Sequence, residues 1–323
     1  MLSIVIPVFN EADSLNLLYD ELSAVAAAQG YAMEVIFVDD GSTDGTWSVI
    51  SRLAAADPRV SGIRFRRNFG KAAALSAAFE QAQGEWVVTM DADLQDDPQE
   101  IPRLLAEAEK GFDVVSGWKK VRHDPWHKVF PSRVFNCLVS MLTGVKLHDH
   151  NCGMKCYRRE VLREVRVYGE LHRFVPVLAA GRGFRVGEVP VHHRPRRFGH
   201  SKYGVSRFVK GFLDLLTVKF ITGFGQRPQH VLGTLGLGSF FLGLLVLLYL
   251  TGYWMASQFC PDLHLTPLHQ RPALVYAVGL ILFGGQLMSI GILAELFVAN
   301  HSPGNKSYSI AQRTPPEKKG IGD

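Results

Sequence analysis

The sequence predicts an α/β domain with a mostly parallel sheet, followed by interfacial helices and two transmembrane helices. Three observations predict it. Short apolar runs alternate with amphipathic stretches from Met1 to about Lys120. Although the 323 residues include 35 Lys and Arg and 30 Asp and Glu, the stretch Val231–Val298 holds only Asp262, Arg271 and Glu295. Within it, Val231–Met255 and Pro272–Ala294 carry no formal charge, and each is long enough for a hydrocarbon core of about 30 Å.

Taken in order, Ser3–Pro7, Glu34–Val38, Val60–Phe65, Trp86–Met90 and Asp113–Ser116 read as buried strands. Ser14–Ala28, Thr43–Ala55, Lys71–Gln83 and Pro98–Lys110 read as the helices between them. Such βαβα alternation implies parallel strands covered by helices on both faces. Ligands in such sheets bind beyond the carboxyl ends of the strands. Farther on, Val205–Phe224 mixes Phe, Leu, Val and Ile with Arg207, Lys210 and Lys219. Lying directly before a spanning segment, this stretch suits a membrane interface, although a core helix has the same apolar stripe.

Composition excludes several classes. A hydrophobic content of 47% without low-complexity tracts is not that of a disordered or fibrous chain. Cys137, Cys152, Cys156 and Cys260 form no disulfide framework at this length and read as reduced thiols. The start MLSIVIPVF resembles a strand more than a signal peptide. A net charge of +5 suits an anionic membrane surface or substrate. No aromatic–basic motif points to nucleic acid. Arg227 before the hairpin and Lys306, Arg313, Lys318 and Lys319 after it place both termini in the cytoplasm by the positive-inside bias.

The strongest chemical signal is DADLQDDP, Asp91–Pro98, directly after a strand. If strand alternation continues, Asp91 and Asp93 share a side, and with the Gln95 amide oxygen they make an all-oxygen site for Mg²⁺ or Mn²⁺ completed by substrate phosphates. Asp97, Pro98 and Glu100 read instead as a helix start closed by a capping box. In VDDGSTDGT, Val38–Thr46, Asp39 or Asp40 can accept from a base or ribose, whereas Ser42 and Asp44 read as turn and cap chemistry. Pro7, Phe9 and Glu11 offer a stacking surface and an acceptor, although Glu11 also suits a first helical turn. His148, His150 and His172 lack the spacing of a zinc site.

The segments IPVFNE, VDDGSTDGT, NFGKAAAL (Asn68–Leu75), DADLQDDP and RRFGHSKYG (Arg196–Gly204) occur in that order. Together with DHNCGMKCYRREV (Asp149–Val161), ELHRFVP (Glu170–Pro176) and two C-terminal spans, they resemble family-two glycosyltransferases of the dolichyl- and polyprenyl-phosphate hexose synthase kind, specifically a bacterial two-span subgroup. The absence of a GxGxxG motif after the first strand argues against a Rossmann oxidoreductase.

The resemblance implies a GT-A-like nucleotide-binding domain at 1–204, interfacial helices at 205–230, a hairpin at 231–299 with spans at 231–255 and 272–298, and a cytoplasmic tail at 300–323. It implies inverting transfer of one sugar from a UDP- or GDP-linked donor to a polyprenyl phosphate at the cytoplasmic membrane. Donor contacts fall on Pro7, Phe9, Glu11, Val38, Asp40, Lys71, Asp91, Ala92, Asp93, Lys119, Arg196 and Lys202. The metal falls to Asp93 and Gln95, with Asp91 beside them. Lys119 stands where relatives commonly have Arg, supplying charge without a bidentate fork. Lys128 and Ser132, with Lys119, match the grip on the lipid phosphate. Asp149 falls near the acceptor, and it joins Asp93, Arg196 and Lys202 as the catalytic set. Two other readings share part of this pattern. A processive polysaccharide synthase would add a QxxRW-type motif and more spans, and a non-catalytic lipid-binding scaffold would not need the acidic motifs. The sugar, the base and self-association are left open.

Overall fold

A computed structural model of the chain describes residues 1–120, 126–165, 171–195, 206–223, 228–259 and 271–300. The described residues divide into two units, one within Met1–Gly223 and the other holding the helices of 228–300.

The first unit is built on seven strands: β1 (Leu2–Val8), β2 (Met33–Asp39), β3 (Val60–Arg64), β4 (Trp86–Thr89), β5 (Val114–Trp118), β6 (Lys155–Arg158) and β7 (Val186–Pro190). They form one sheet in the order β3-β2-β1-β4-β6-β5-β7. All pairings are parallel except those of β6, which runs antiparallel between β4 and β5. Helices α1 (Leu15–Gln29), α2 (Thr46–Ala56), α3 (Lys71–Gln81) and α4 (Ile101–Glu109) connect the early strands.

Side-chain alternation makes two cores from these strands. Ile4, Ile6, Val8, Val35 and Phe37 face one way and pack with Leu18 and Leu22 of α1, Ile50 of α2 and Leu104 of α4. Val5, Ile36 and Val38 face the other way, onto Ala74, Leu75 and Ala78 of α3. Because both faces are covered, the strands read as continuous apolar runs. The parallel register, which sets Pro7 opposite Val38 and Val5 opposite Thr89, brings the ends of β1, β2 and β4 to one edge.

Later helices complete this unit: α5 (Trp126–Thr143), α6 (Arg159–Glu164), α7 (Val175–Gly181) and α8 (Ser206–Gly223). Leu215 and Val218 of α8 pack with Phe135 and Val139 of α5 and Val177 of α7. The other side of α8 exposes Phe212, Leu213 and Leu216.

The second unit is a hairpin of α9 (Pro228–Phe259) and α10 (Pro272–Asn300). Gln229–Phe259 and Pro272–Leu296 are long and apolar enough to cross a membrane, with mean hydropathies of 2.3 and 2.0. A soluble core helix would be mostly buried, whereas Leu245, Leu248, Val275 and Leu282 stand exposed. The helices meet at glycines: a Cβ on Gly284 would lie 2.5 Å from the Gly236 carbonyl oxygen. Glu295 also has a structural partner here, accepting from the Gln229 backbone N–H at 3.1 Å in the first turn of α9.

Candidate active site

Loops at the strand ends build the site. The loop after β1 is stitched to the loop after β2, because Asn10 N–H donates to Ser42 Oγ at 2.9 Å and Glu11 N–H to Thr46 Oγ1 at 3.0 Å. Asn10 Oδ1 returns the contact by accepting from Thr43 N–H at 2.9 Å. Asn10 takes a φ of 58°, a left-handed conformation that Asn tolerates better than most residues. Ser42 therefore ties two loops together where a helix cap was expected, while Asp44 meets the first turn of α2 as expected, its Oδ1 accepting from Thr46 N–H at 3.0 Å.

Asp40 secures the third loop. Its carboxylate accepts from Phe69 N–H at 2.6 Å and Gly70 N–H at 2.9 Å, and the residue is buried. That fixes the start of α3 and thus Lys71, whose ammonium forms an ion pair with Asp91 Oδ1. Asp39 Oδ1 accepts from Ser42 N–H at 2.8 Å.

The acidic segment after β4 is a turn. The strand ends at Thr89, and Leu94 takes a φ of 61°, so the alternation invoked for Asp91 and Asp93 does not extend to them. The turn is held by a residue without an assigned role in the sequence reading, Asp96. It is 2% exposed and accepts from Asp91 N–H at 3.1 Å. Lys119 Nζ, at the end of β5, lies 3.8 Å from Asp96 Oδ1 and 3.5 Å from His193 Nε2. Burial disfavours the charge on Asp96, but Lys119, His193 and Asp91 N–H outweigh it and hold the carboxyl below its usual range. Burial likewise opposes the Lys119 ammonium, and Asp96, Asp91 and Asp149 hold it above the usual lysine range. Asp93 Oδ1 accepts from Gln95 N–H at 3.2 Å.

Glu100 does not close a capping box on Asp97. Its two oxygens accept from His192 N–H at 3.2 Å and from Arg103 at 2.7 Å, while Asp97 caps the short 3₁₀ turn through Gln99 N–H at 3.0 Å.

The loop 149–154 closes the site beside Asp91. Lys155 of β6 is buried and donates to the carbonyls of His150, at 3.3 Å, and Cys152. Thr89 Oγ1 donates to the Gly153 carbonyl at 2.8 Å. Gly153 is required there, since a Cβ would fall 2.7 Å from Asp91 Oδ2. Burial lowers the pKa of Lys155, raises the Cys152 thiol to about 12, and brings His150 down to about 4.

Four further residues expected at contacts are buried. Val38 has no exposed surface and its side chain belongs to the core against α3. Ala92 is 4% exposed and its side chain also packs inward. Asp93 and Asp149 are 8% and 1% exposed. Asp149 Oδ1 accepts from Asn151 N–H at 3.1 Å, and Asp149 N–H donates to Glu188 at 3.0 Å. By contrast, Pro7, Phe9, Glu11, Lys71, Asp91, Gln95, Lys119 and Ser132 are part-exposed. Lys128 lies on α5 with Ser132, but its side chain, like all of Arg196 and Lys202, is outside the described residues. Lys155, Thr89, Gly153 and Asp96 were missed because their roles depend on partners distant in sequence. The crowded DADLQDDP run was the only local sign of Asp96.

A hard divalent cation prefers oxygen donors, and Mg²⁺ commonly keeps few protein ligands. Asp91, Asp93 and Gln95 supply such donors, and the ammonium on Asp91 marks a position that favours positive charge. By donor chemistry these residue types suit Mg²⁺ or Mn²⁺. Among the described residues, no group of three or more His, Cys, Asp or Glu side chains is arranged to hold a metal ion.

The fold and the acidic turn define a GT-A-like transferase domain. The chain belongs to glycosyl transferase family 2, whose model matches residues 3–166. It is 39% identical to the dodecaprenyl-phosphate galacturonate synthase of Rhizobium johnstonii, over 93% of this chain and 88% of the relative. It is 36% identical to the undecaprenyl-phosphate 4-deoxy-4-formamido-L-arabinose transferase of Shewanella sediminis, over 91% of this chain and 86% of the relative. Among solved structures it resembles the glucosyl-3-phosphoglycerate synthase of Mycobacterium tuberculosis in complex with Mn²⁺, UDP and phosphoglyceric acid. That match has a TM-score of 0.54 at 17% identity and covers 69% of this chain and 78% of the other.

Proposed function

We propose that this protein transfers a single sugar, with inversion, from a nucleotide-sugar to a membrane polyprenyl phosphate. The observation that carries the reading is the acidic turn Asp91–Gln95, set at the carboxyl end of β4 and backed by the buried Asp96–Lys119 pair. The near full-length likeness to two enzymes named for polyprenyl-phosphate acceptors supports the acceptor class.

Asp91, Asp93 and Gln95 would hold Mg²⁺ or Mn²⁺, which when bound neutralises charge developing on the nucleotide diphosphate. Pro7, Phe9 and Glu11 contact the base and ribose. Asp40 serves the nucleotide indirectly by fixing the Phe69–Lys71 turn. Lys71, Lys119, Arg196 and Lys202 supply positive charge to the donor phosphates. Lys119, Lys128 and Ser132 receive the acceptor phosphate. A phosphate monoester with a second pKa near 6 is largely a dianion at pH 7, so the nucleophile needs placement more than deprotonation. Asp149 then acts by balancing Lys119 and Lys155 and holding its loop; an Asp149→Asn enzyme with unchanged turnover would remove it from the account.

The hairpin anchors the chain in the cytoplasmic membrane, with the apolar residues of α8 facing lipid headgroups and both termini in the cytoplasm. The donor is UDP- or GDP-linked. The test is transfer to short-chain polyprenyl phosphate in detergent, using a panel of labelled nucleotide-sugars with Mg²⁺ or Mn²⁺. One donor should yield a lipid-linked product that Asp93→Ala abolishes. Failure of any nucleotide-sugar to bind would overturn the enzyme reading.

A further inference from the structure

Lys71 and Asp91 form an ion pair between two groups that the donor complex would use differently. The carboxylate belongs with a metal ion, and the ammonium belongs with phosphate. One oxygen cannot serve an ammonium and a divalent cation together, because the two positive charges would be forced into contact.

The surroundings show which partner can move. Asp91 is fixed through its backbone N–H, which donates to Asp96 at 3.1 Å, and Asp96 is itself buried against Lys119. Gly153 closes the other carboxylate oxygen, leaving no room for even a Cβ on that side. Lys71 stands on the first turn of α3, and its side chain and that of Asp91 are similarly open, at 32% and 36% exposed. The Asp91 backbone is held in the turn and its carboxylate is on a short stem, whereas the flexible four-carbon stem of Lys71 gives the ammonium the wider reach.

We propose that Lys71 and the divalent cation compete for Asp91, and that the donor diphosphate resolves the competition by taking the Lys71 ammonium. This rests on the reading of Asp91, Asp93 and Gln95 as metal ligands. A metal ion arriving alone must displace Lys71 without offering it a new partner. A nucleotide arriving alone draws Lys71 away and leaves Asp91 bare. Each ligand therefore favours the other, and the coupling is reciprocal. The exchange makes no covalent bond, and charge balances throughout: Asp91 trades one cation for another while Lys71 trades a carboxylate for a phosphate.

The test is Mn²⁺ binding to the full chain in detergent, read from the electron paramagnetic resonance of free Mn²⁺, with no sugar acceptor present. It is run alone and with UDP or GDP, on the wild type, Lys71→Met, Lys71→Arg and Asp93→Ala. In the wild type, one nucleotide should tighten Mn²⁺ binding about tenfold or more. Lys71→Met should bind Mn²⁺ alone about tenfold more tightly than the wild type, and the nucleotide effect should shrink by about the same factor, leaving the share that the diphosphate supplies as a direct metal ligand. Lys71→Arg, which keeps the charge, should stay weak without nucleotide. Lys71→Met with wild-type affinity in both conditions would overturn the exchange, as would Lys71→Arg tightening to match it. If Asp93→Ala binds Mn²⁺ as the wild type does in every condition, the metal reading beneath the proposal falls instead.

Discussion

Replacing Asp96 by Asn removes the charge from one half of a buried ion pair while retaining an oxygen to accept from Asp91 N–H. At the observed 3.8 Å separation from Lys119, Coulomb attraction at an effective dielectric of 20 is about 4 kcal/mol. Breaking one side of a buried pair costs about 3–5 kcal/mol, because the other charge is stranded. Asp91 and Asp149 still compensate Lys119, which argues for the lower end, about 3 kcal/mol. For a unit of this size that corresponds to a fall in Tm of about 6–12 °C. The assay is thermal unfolding of the detergent-solubilised chain followed by tryptophan fluorescence. The effect has a defined pH window. The Asp96 carboxyl titrates lower in the folded chain than in the unfolded chain, so the folded form binds fewer protons. Its stabilisation is complete above the unfolded value of about 3.9 and is lost as pH falls toward the folded one. The gap between wild type and Asp96→Asn should therefore be full at pH 7 and shrink below about pH 4. Removing both charges, in Asp96→Asn with Lys119→Met, should cost less than the sum of the single losses. A Tm within about 2 °C of wild type at pH 7, or strictly additive losses, would refute the reasoning.

Three further outcomes follow from the same geometry. Gly153→Ala places a Cβ against Asp91 Oδ2 and should reduce kcat/KM for the donor by about 10- to 100-fold, measured by steady-state transfer alongside a melting curve. His150 is held neutral, with a folded pKa of about 4. Below its unfolded value of about 6.5 the unfolded chain gains a proton that the folded chain refuses, so stability drops by about 2 kcal/mol between pH 7.5 and 5. Denaturation of His150→Gln should lack that share of the acid sensitivity. Glu295→Ala removes the acceptor for Gln229 N–H at the start of α9 and should destabilise the hairpin by about 1 kcal/mol; an unchanged unfolding midpoint in mixed detergent would contradict the cap.

The first five strands and four helices were legible because parallel strands buried on both faces, such as Val35–Val38, leave uninterrupted apolar runs. β6 was not. Its four residues, Lys155–Arg158, include two cations, and their burial depends on flanking strands β4 and β5. Pro131 broke the pattern of α5. Within the site, the residue types of the acidic turn suggested metal ligands, and the structural role of Asp96 among them was hidden. Asp40 looked like a ligand acceptor, whereas both its oxygens hold the backbone before Lys71. Asp149 was placed near the acceptor by resemblance alone, and nothing local showed that Glu188 of β7 draws its loop inward by accepting from His148 and Asp149 N–H. Such burial is set by contacts between distant segments, and local sequence carries no mark of it.

If the Asp91–Gln95 turn directs one sugar onto one lipid phosphate, mass spectrometry of the lipid product after prolonged reaction with the active donor in excess should show a polyprenyl phosphate heavier by a single sugar residue. That product should be absent in Asp93→Ala. A ladder of products bearing several sugars, or the same product from Asp93→Ala at the wild-type rate, would contradict that reading.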